Sequence, residues 1–239
     1  MPGGVYSALS GMQSRLEDLD RLASDLANVG TSGYKTERGA TFVAERQSFK
    51  NVLDAAVDVT AGGTRLDLSP GSIGTTGRDL DAAIEGAGFF VMNTPAGDRY
   101  TRDGAFVRRG DGTLTSGDGS PIMGTAGPIK VGTGTIAIAE DGTVKAGDVI
   151  AGKLKVMQFA SEDDIEREKG SRFRAKPGVT PTVATVRIMG GSLEKSNVTV
   201  VDRMVALTEV QRSFEALQRG ISMLFNDIDA RAISELGKR

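Results

Sequence analysis

Apolar residues at coiled-coil spacing occupy both ends of this chain. Near the start stand Val5, Leu9, Met12, Leu16, Leu19, Ala23 and Leu26; near the end stand Leu207, Val210, Phe214, Leu217, Ile221, Leu224 and Ile228. Each set alternates steps of three and four residues, with no proline inside the run and one glycine, Gly11 or Gly220. A helix so patterned carries one narrow apolar seam, better suited to another helix than to the inside of a globular core. On pattern alone two readings stay open. The seams meet neighbouring molecules in an assembly, or they close an intramolecular hairpin packed on the rest of the chain, since apolar helical stripes usually face their own core.

Between the seams the backbone chemistry changes. Residues 28 to 196 hold 27 of the 32 glycines, and every proline except Pro2 falls between Pro70 and Pro181. Both residue types are costly in helix interiors, so helices are predicted at the ends and turns in the middle. Asp103-Gly104, Asp111-Gly112, Asp118-Gly119 and Asp141-Gly142 read as hairpin-type turns that accept positive φ. Beside them lie strand candidates at Gly88 to Asn93, Ala105 to Arg109, Thr135 to Ala139, Lys153 to Phe159 and Thr182 to Met189. Phe89, Phe90 and Val91 form a buried-type run, while Ile136 and Ile138 alternate with small residues. This pattern predicts an antiparallel meander or a small barrel-like domain. Residues 30 to 80 have little periodicity and read as mostly extended connection, with room for a helical piece around Phe42 to Val57.

Thr199 is the expected cap of the last helix, with Asp202 favouring its positive end. Glu17 with Arg21, and Glu215 with Arg219, stand at i,i+4. A helix from about 199 to 235 would be about 54 Å long, more than a modest β domain can bury. The predicted fold class is α+β, with coiled-coil-type helices flanking a central all-β domain. Its expected segments are a helix and turn over 1–38, an extended connection over 39–80, a β-rich domain over 81–192 and a C-terminal helix over 193–239.

What the chain lacks narrows its chemistry. There is no cysteine, no histidine and no tryptophan. That excludes thiolate catalysis, zinc-thiolate sites and the commonest general base. A net charge of -2 gives no basic excess for nucleic acid or anionic lipid, and aromatics at 5% leave few stacking platforms. Met1 to Gly4 lead straight into the amphipathic run, so no cleaved signal is expected, and no stretch approaches the roughly 20 apolar residues of a membrane span. Gly110 to Gly119 carries two Asp-Gly turns without a repeated nonapeptide or closing Glu, a hairpin pattern rather than a calcium loop. Gly86-Ala87-Gly88 lacks the third glycine of a dinucleotide loop. Asp103 reads as a turn former, and the carboxylates at Glu17, Asp18, Asp20 and Glu162 to Asp164 as solvated faces. No catalytic, cofactor-binding or metal-binding residue is predicted. In Leu26 to Lys35, Asn28 can end a helix while Gly30 and Gly33 allow a left-handed backbone, so the block reads as a stop that redirects the chain.

Residues 7 to 38, SALSGMQSRLEDLDRLASDLANVGTSGYKTER, carry an ALSG opening and a LAN-x-x-T-x-GYK close. Residues 80 to 106, LDAAIEGAGFFVMNTPAGDRYTRDGAF, fit LD-x-A-I-x-G-x-GFF followed by YTRDG-x-F. Residues 193 to 214 open with LEKSNV and close with QRSF. In these three blocks, in this order, the chain resembles the flagellar axial proteins, and among them the basal-body rod proteins. Ser24 and Asp25 stand where an asparagine pair is common. The short length and the Leu193-Glu194-x-Ser-Asn-Val start resemble the proximal rod most, with the distal rod as the alternative.

The resemblance implies a structural subunit, not an enzyme, with no cofactor and no role for nucleic acid or membrane insertion. It implies export by the flagellar type III apparatus without a cleaved signal, and helical assembly in the periplasm with other copies and neighbouring rod proteins. The terminal helices would pair into a coiled-coil inner tube, with the β domain outside. The assembly interface would then be the seam residues themselves, and Asn28, Thr31, Gly33 and Tyr34 would form the family's turn. A peptidoglycan-binding or cell-wall enzyme, and a helical adaptor for another partner, are the competing classes.

Overall fold

The structure, a computed structural model, describes residues 2–39 and 64–236, with side-chain detail for 9–39 and 64–223. The helical piece expected around Phe42 to Val57 lies outside them. Helix α1 spans Pro2–Ala27 and helix α2 spans Val200–Leu236, so terminal helices flank a central, mostly β domain. The described chain forms two compact units. One gathers residues 2–26 and 200–236 with Gly39 and Thr64, and the other gathers 27–38 and 65–199.

In the helical unit, Pro2 occupies the first turn of α1, where its missing N–H costs no hydrogen bond. The two helices pack antiparallel. A β-carbon on Gly11 would lie 3.8 Å from Leu217 Cδ1, and two heptads further along α1 Asp25 meets Arg203, with Oδ2 to Nε at 3.4 Å. The local ion pairs differ from those the spacing suggests. Arg15 and Arg21 both reach Asp18, at 3.2 and 2.6 Å, so an i,i+3 bridge replaces the expected Glu17–Arg21 pair. Arg219 Nε donates to the backbone carbonyl of Glu215 at 3.3 Å instead of to its carboxylate.

The β unit is built around a six-stranded antiparallel sheet. Its order is Ile165–Lys169, Arg172–Ala175, Gly97–Thr101, Phe89–Thr94, Val156–Gln158 and Thr182–Val183. Successive side chains of a strand point to opposite faces, and Phe89–Thr94 is buried on both. Phe90 and Met92 join one core with Phe106, Leu114, Ile122 and Val144, while Phe89 and Val91 join a second with Leu66, Tyr100, Ile165 and Phe173. That is why its sequence is an unbroken apolar run.

A three-stranded meander, Ile136–Ile138, Thr143–Ala146 and Val149–Lys153, packs on the first core. Two long-range pairs complete the unit: Ala82–Glu85 with Arg187–Gly190, and Ile73–Thr75 with Ser192–Glu194.

Two expected strands prove to be two each. Lys153 to Phe159 breaks at buried Leu154, which bridges Gly124, and the chain crosses there from the meander to the six-stranded sheet. Thr182 to Met189 likewise divides, its first part pairing with Val156–Gln158 and its second with Ala82–Glu85. Among the four Asp-Gly turns, Gly112, Gly119 and Gly142 have φ of +83°, +85° and +84°. Gly104 does not adopt positive φ; it is needed because a β-carbon there would come within 1.6 Å of the Ala82 carbonyl oxygen.

Candidate functional site

The seam residues fall unevenly on the two helices. On α2, Leu207, Val210, Phe214, Leu217 and Ile221 are all half-buried. On α1, Met12, Leu19 and Leu26 are half-buried, but Leu9 and Leu16 are 52% and 48% exposed and Ala23 is exposed as well. Val5, Leu224 and Ile228 lie on the helices, outside the residues whose side chains are described. Among the described residues of α1, those that bury fully are Leu22 and Asp25, neither on the seam. An antiparallel partner covers one side of a helix, and α1 presents a face turned away from Leu9 and Leu16. On α2 a further exposed set, Val201, Met204, Val205 and Met223, flanks the half-buried seam.

The second locus lies within the β unit, where the chain comes off α1 and where it returns toward α2. After Ala27 a short turn is closed by Thr31, whose N–H donates to the Asn28 carbonyl at 3.0 Å and whose hydroxyl bonds Asn28 Oδ1 at 3.1 Å. Gly33 has φ +66°, and a β-carbon on it would sit 2.2 Å from the Arg102 carbonyl carbon. Gly30, also expected to use the left-handed region, does not. Gly33 N–H donates to the Glu194 carbonyl at 2.8 Å, and Asn197 N–H donates to the Tyr34 carbonyl at 3.3 Å. Asn197 accepts from Thr36 N–H at 2.8 Å and donates to the Asp67 carbonyl at 2.9 Å. Tyr34 is buried, with the Arg167 guanidinium 4.3 Å above its ring; that same guanidinium donates to the Lys35 carbonyl and to Glu37.

At the centre are three charged side chains, each almost wholly buried. Glu194 Oε1 accepts from Lys35 Nζ at 2.5 Å and from Gly71 N–H at 3.0 Å, and Oε2 accepts from Arg102 Nη1 at 3.0 Å. Further donors go to carbonyls: Lys35 reaches Ser69 at 2.8 Å and Arg102 Nη2 reaches Gly86 at 2.6 Å, while the buried Arg102 Nε has no hydrogen-bond partner. Two cations thus share one carboxylate. Burial pushes the Lys35 amine below its ordinary value against the opposing pull of Glu194, and burial lowers Arg102 in the same way. Nearby, burial raises Asp67, but hydrogen bonds from Ser69 and the ion pair with Arg38 outweigh it and hold that carboxyl below the usual range.

Chemically this cluster is a lock. Its one carboxylate is held by three donors and closed off from solvent, so it fastens the chain together. Among the described residues no group of acidic side chains could hold a metal ion, and no helix is long and apolar enough to cross a membrane.

The seam residues were visible from spacing, and Asn28 and Gly33 from residue type; Thr31 and Tyr34 entered through the resemblance, whereas Lys35, Arg102, Glu194 and Asn197 were not singled out. Their signal was position: Lys35 closes GYK, Arg102 lies in YTRDG, and Glu194 and Asn197 lie in LEKSNV, so all three sequence blocks converge on this one cluster.

The family described as flagellar hook protein FlgE/F/G D1 domain matches residues 83–146, and flagellar basal body rod FlgEFG protein C-terminal matches residues 189–229. The flagellar basal-body rod protein FlgF of Caulobacter vibrioides is 29% identical, covering 100% of this chain and 99% of its own. FlgF of Escherichia coli is 32% identical over 93% of this chain and 94% of its own. FlgG of Bacillus subtilis is 31% identical over 89% of this chain and 91% of its own. With relatives of both names aligned almost end to end, the chain belongs to the flagellar basal-body rod protein family.

Proposed function

We propose that the chain is a proximal-rod, FlgF-like subunit that assembles through its terminal helices, with copies of itself and neighbouring rod proteins as partners. The observation that carries this reading is the match to FlgF of Caulobacter vibrioides over 100% of this chain and 99% of the relative. The subunit is exported by the flagellar type III apparatus without a cleaved signal and joins the rod in the periplasm.

Within one subunit α1 lies antiparallel on α2, and the seams of several subunits complete a coiled-coil inner tube. Support comes from the apolar residues that this pairing leaves uncovered: Leu9 and Leu16 on α1, and Val201, Met204, Val205 and Met223 on α2. Fully burying such a side chain is worth roughly 1.5–3 kcal/mol, and each of these has about half or more of its surface still in water. Heterologous contacts through such unlike faces generate an open helical array. A distal-rod role is the second reading, favoured by the FlgG relative.

Deleting residues 2–27 in a strain that depends on this chain is the test. Loss of motility, with the β unit still folded by circular dichroism, is expected; retained motility would overturn the assembly role of α1. Placement in the proximal rod is read by labelling the chain in isolated basal bodies, and label confined to the distal rod would favour the second reading.

A further inference from the structure

The seam of α2 continues one position beyond its apolar residues. Leu207, Val210, Phe214, Leu217 and Ile221 alternate steps of three and four, and four residues before Leu207 the same half-buried line holds Arg203. Arg203 Nε lies 3.4 Å from Oδ2 of Asp25, a residue 0% exposed. Among the described residues this is the ion pair that joins α1 to α2. It stands two heptads from the Gly11–Leu217 contact on both helices, so the two contacts belong to one continuous line of facing residues.

On α1 that line runs through Gly11, Asp18, Leu22 and Asp25, of which only Leu22 is a large apolar residue. At 3.6 residues per turn, Leu9, Leu16 and Ala23 lie ~160° round the helix from Gly11, Asp18 and Asp25, and all three are exposed. Apolar area alone would roll α1 the other way and bring its own seam against that of α2. A charged pair inside a helix interface fixes which faces meet, at the expense of apolar contact. Rolling α1 would take Asp25 away from Arg203.

We infer that the Asp25–Arg203 pair selects the face that α1 turns to α2, and so holds the apolar stripe of Leu9, Leu16 and Ala23 on the outside of the subunit. A subunit whose α1 rolled inward would cover that stripe itself and leave nothing for a neighbour. The consequence for assembly rests on the rod-subunit reading above; the selection of the face does not.

The test uses Leu16→Cys in the full-length chain, which has no other cysteine, and follows the rate of N-ethylmaleimide labelling. Leu16 is 48% exposed, so labelling should be fast. Asp25→Leu with Arg203→Leu removes the pair yet keeps an apolar interface that can pack. Labelling should then slow about tenfold or more, because a thiol turned into the helix interface reacts only through local opening. Unchanged labelling would overturn the inference. So would faster labelling, which would mean that the pair merely holds the helices together. With Leu16 restored, Asp25→Leu with Arg203→Leu should also abolish swimming while circular dichroism shows helical content retained. Slowed labelling with normal swimming would leave the selected face standing and overturn the assembly role of the outward stripe.

Discussion

Lys35 and Glu194 stand 159 positions apart in the chain and 2.5 Å apart in space, and neither side chain is more than 1% exposed. With Arg102 on the second carboxylate oxygen, the trio carries one more positive than negative charge inside the protein. That imbalance makes the three residues unequal, which stability measurements can read.

Glu194→Gln keeps the shape but leaves two buried cations without a counter-charge. A loss of about 3–5 kcal/mol is expected, the usual result of removing one partner from a buried pair. Lys35→Met leaves the neutral Arg102–Glu194 pair and should lose clearly less. Urea unfolding of the two variants gives the comparison, and equal losses would contradict the two-to-one account.

Gly33 and Gly30 differ although they are three residues apart. At Gly33 a β-carbon meets backbone at 2.2 Å in a left-handed conformation, so Gly33→Ala should destabilise by several kcal/mol, of order ~3 or more. At Gly30 a β-carbon meets nothing within 4 Å and φ is not positive, so Gly30→Ala should be neutral or stabilising by about 0.4–1 kcal/mol. Thermal melts would show opposite signs.

Acid should weaken the β unit. Asp67, Asp118 and Glu168 have carboxyls lowered relative to their ordinary values; for the first two, bonds from Ser69 and from Ser116 outweigh burial, and for Glu168 the Arg99 bond leads. A depressed folded value gives stability that is present above the ordinary carboxylate range, about pH 4, and is lost as pH falls through the lower folded values. Asp103 runs the other way: burial raises it, so its contribution is full below that range and fades as pH rises through its folded value. Asp67→Asn should therefore flatten the acid limb of a stability–pH profile, while Asp103→Asn should steepen it.

Leu16 and Leu217 separate assembly from folding. Leu16→Asp places a charge at a site 48% exposed in the single subunit, so its melting should shift within about 0.5 kcal/mol while swimming in soft agar is lost. Leu217 is half-buried beside Gly11, so Leu217→Asp should lower helical content as well as motility. Normal swimming with Leu16→Asp would remove Leu16 from the interface.

The elements that local chemistry dictates were readable in advance. The helices follow from seam spacing and absent prolines, and the turns at Gly112, Gly119 and Gly142 follow from their dipeptides. The strand at Phe89–Thr94 was recognised as a buried run, though its apolar content could not tell that it separates two cores. Leu154 and the Thr182 to Met189 break were missed because a strand that changes sheets keeps its local pattern. At the site, Asn28, Thr31, Gly33 and Tyr34 were legible as a turn. The charged trio was not, because each member's chemistry depends on partners 92 to 159 positions away. The face that α1 turns to α2 was not legible for a related reason: Asp25 is polar yet buried, beside Arg203 of the other helix.

The bonds from Gly33 to Glu194 and from Asn197 to Tyr34 also pin two distant stretches of chain at one point. A pull applied at residue 33 meets residue 194 there, across hydrogen bonds backed by a buried ion pair. The hundred and more residues between them form a closed loop, and substitutions on its surface can accumulate without touching the bonds that close it.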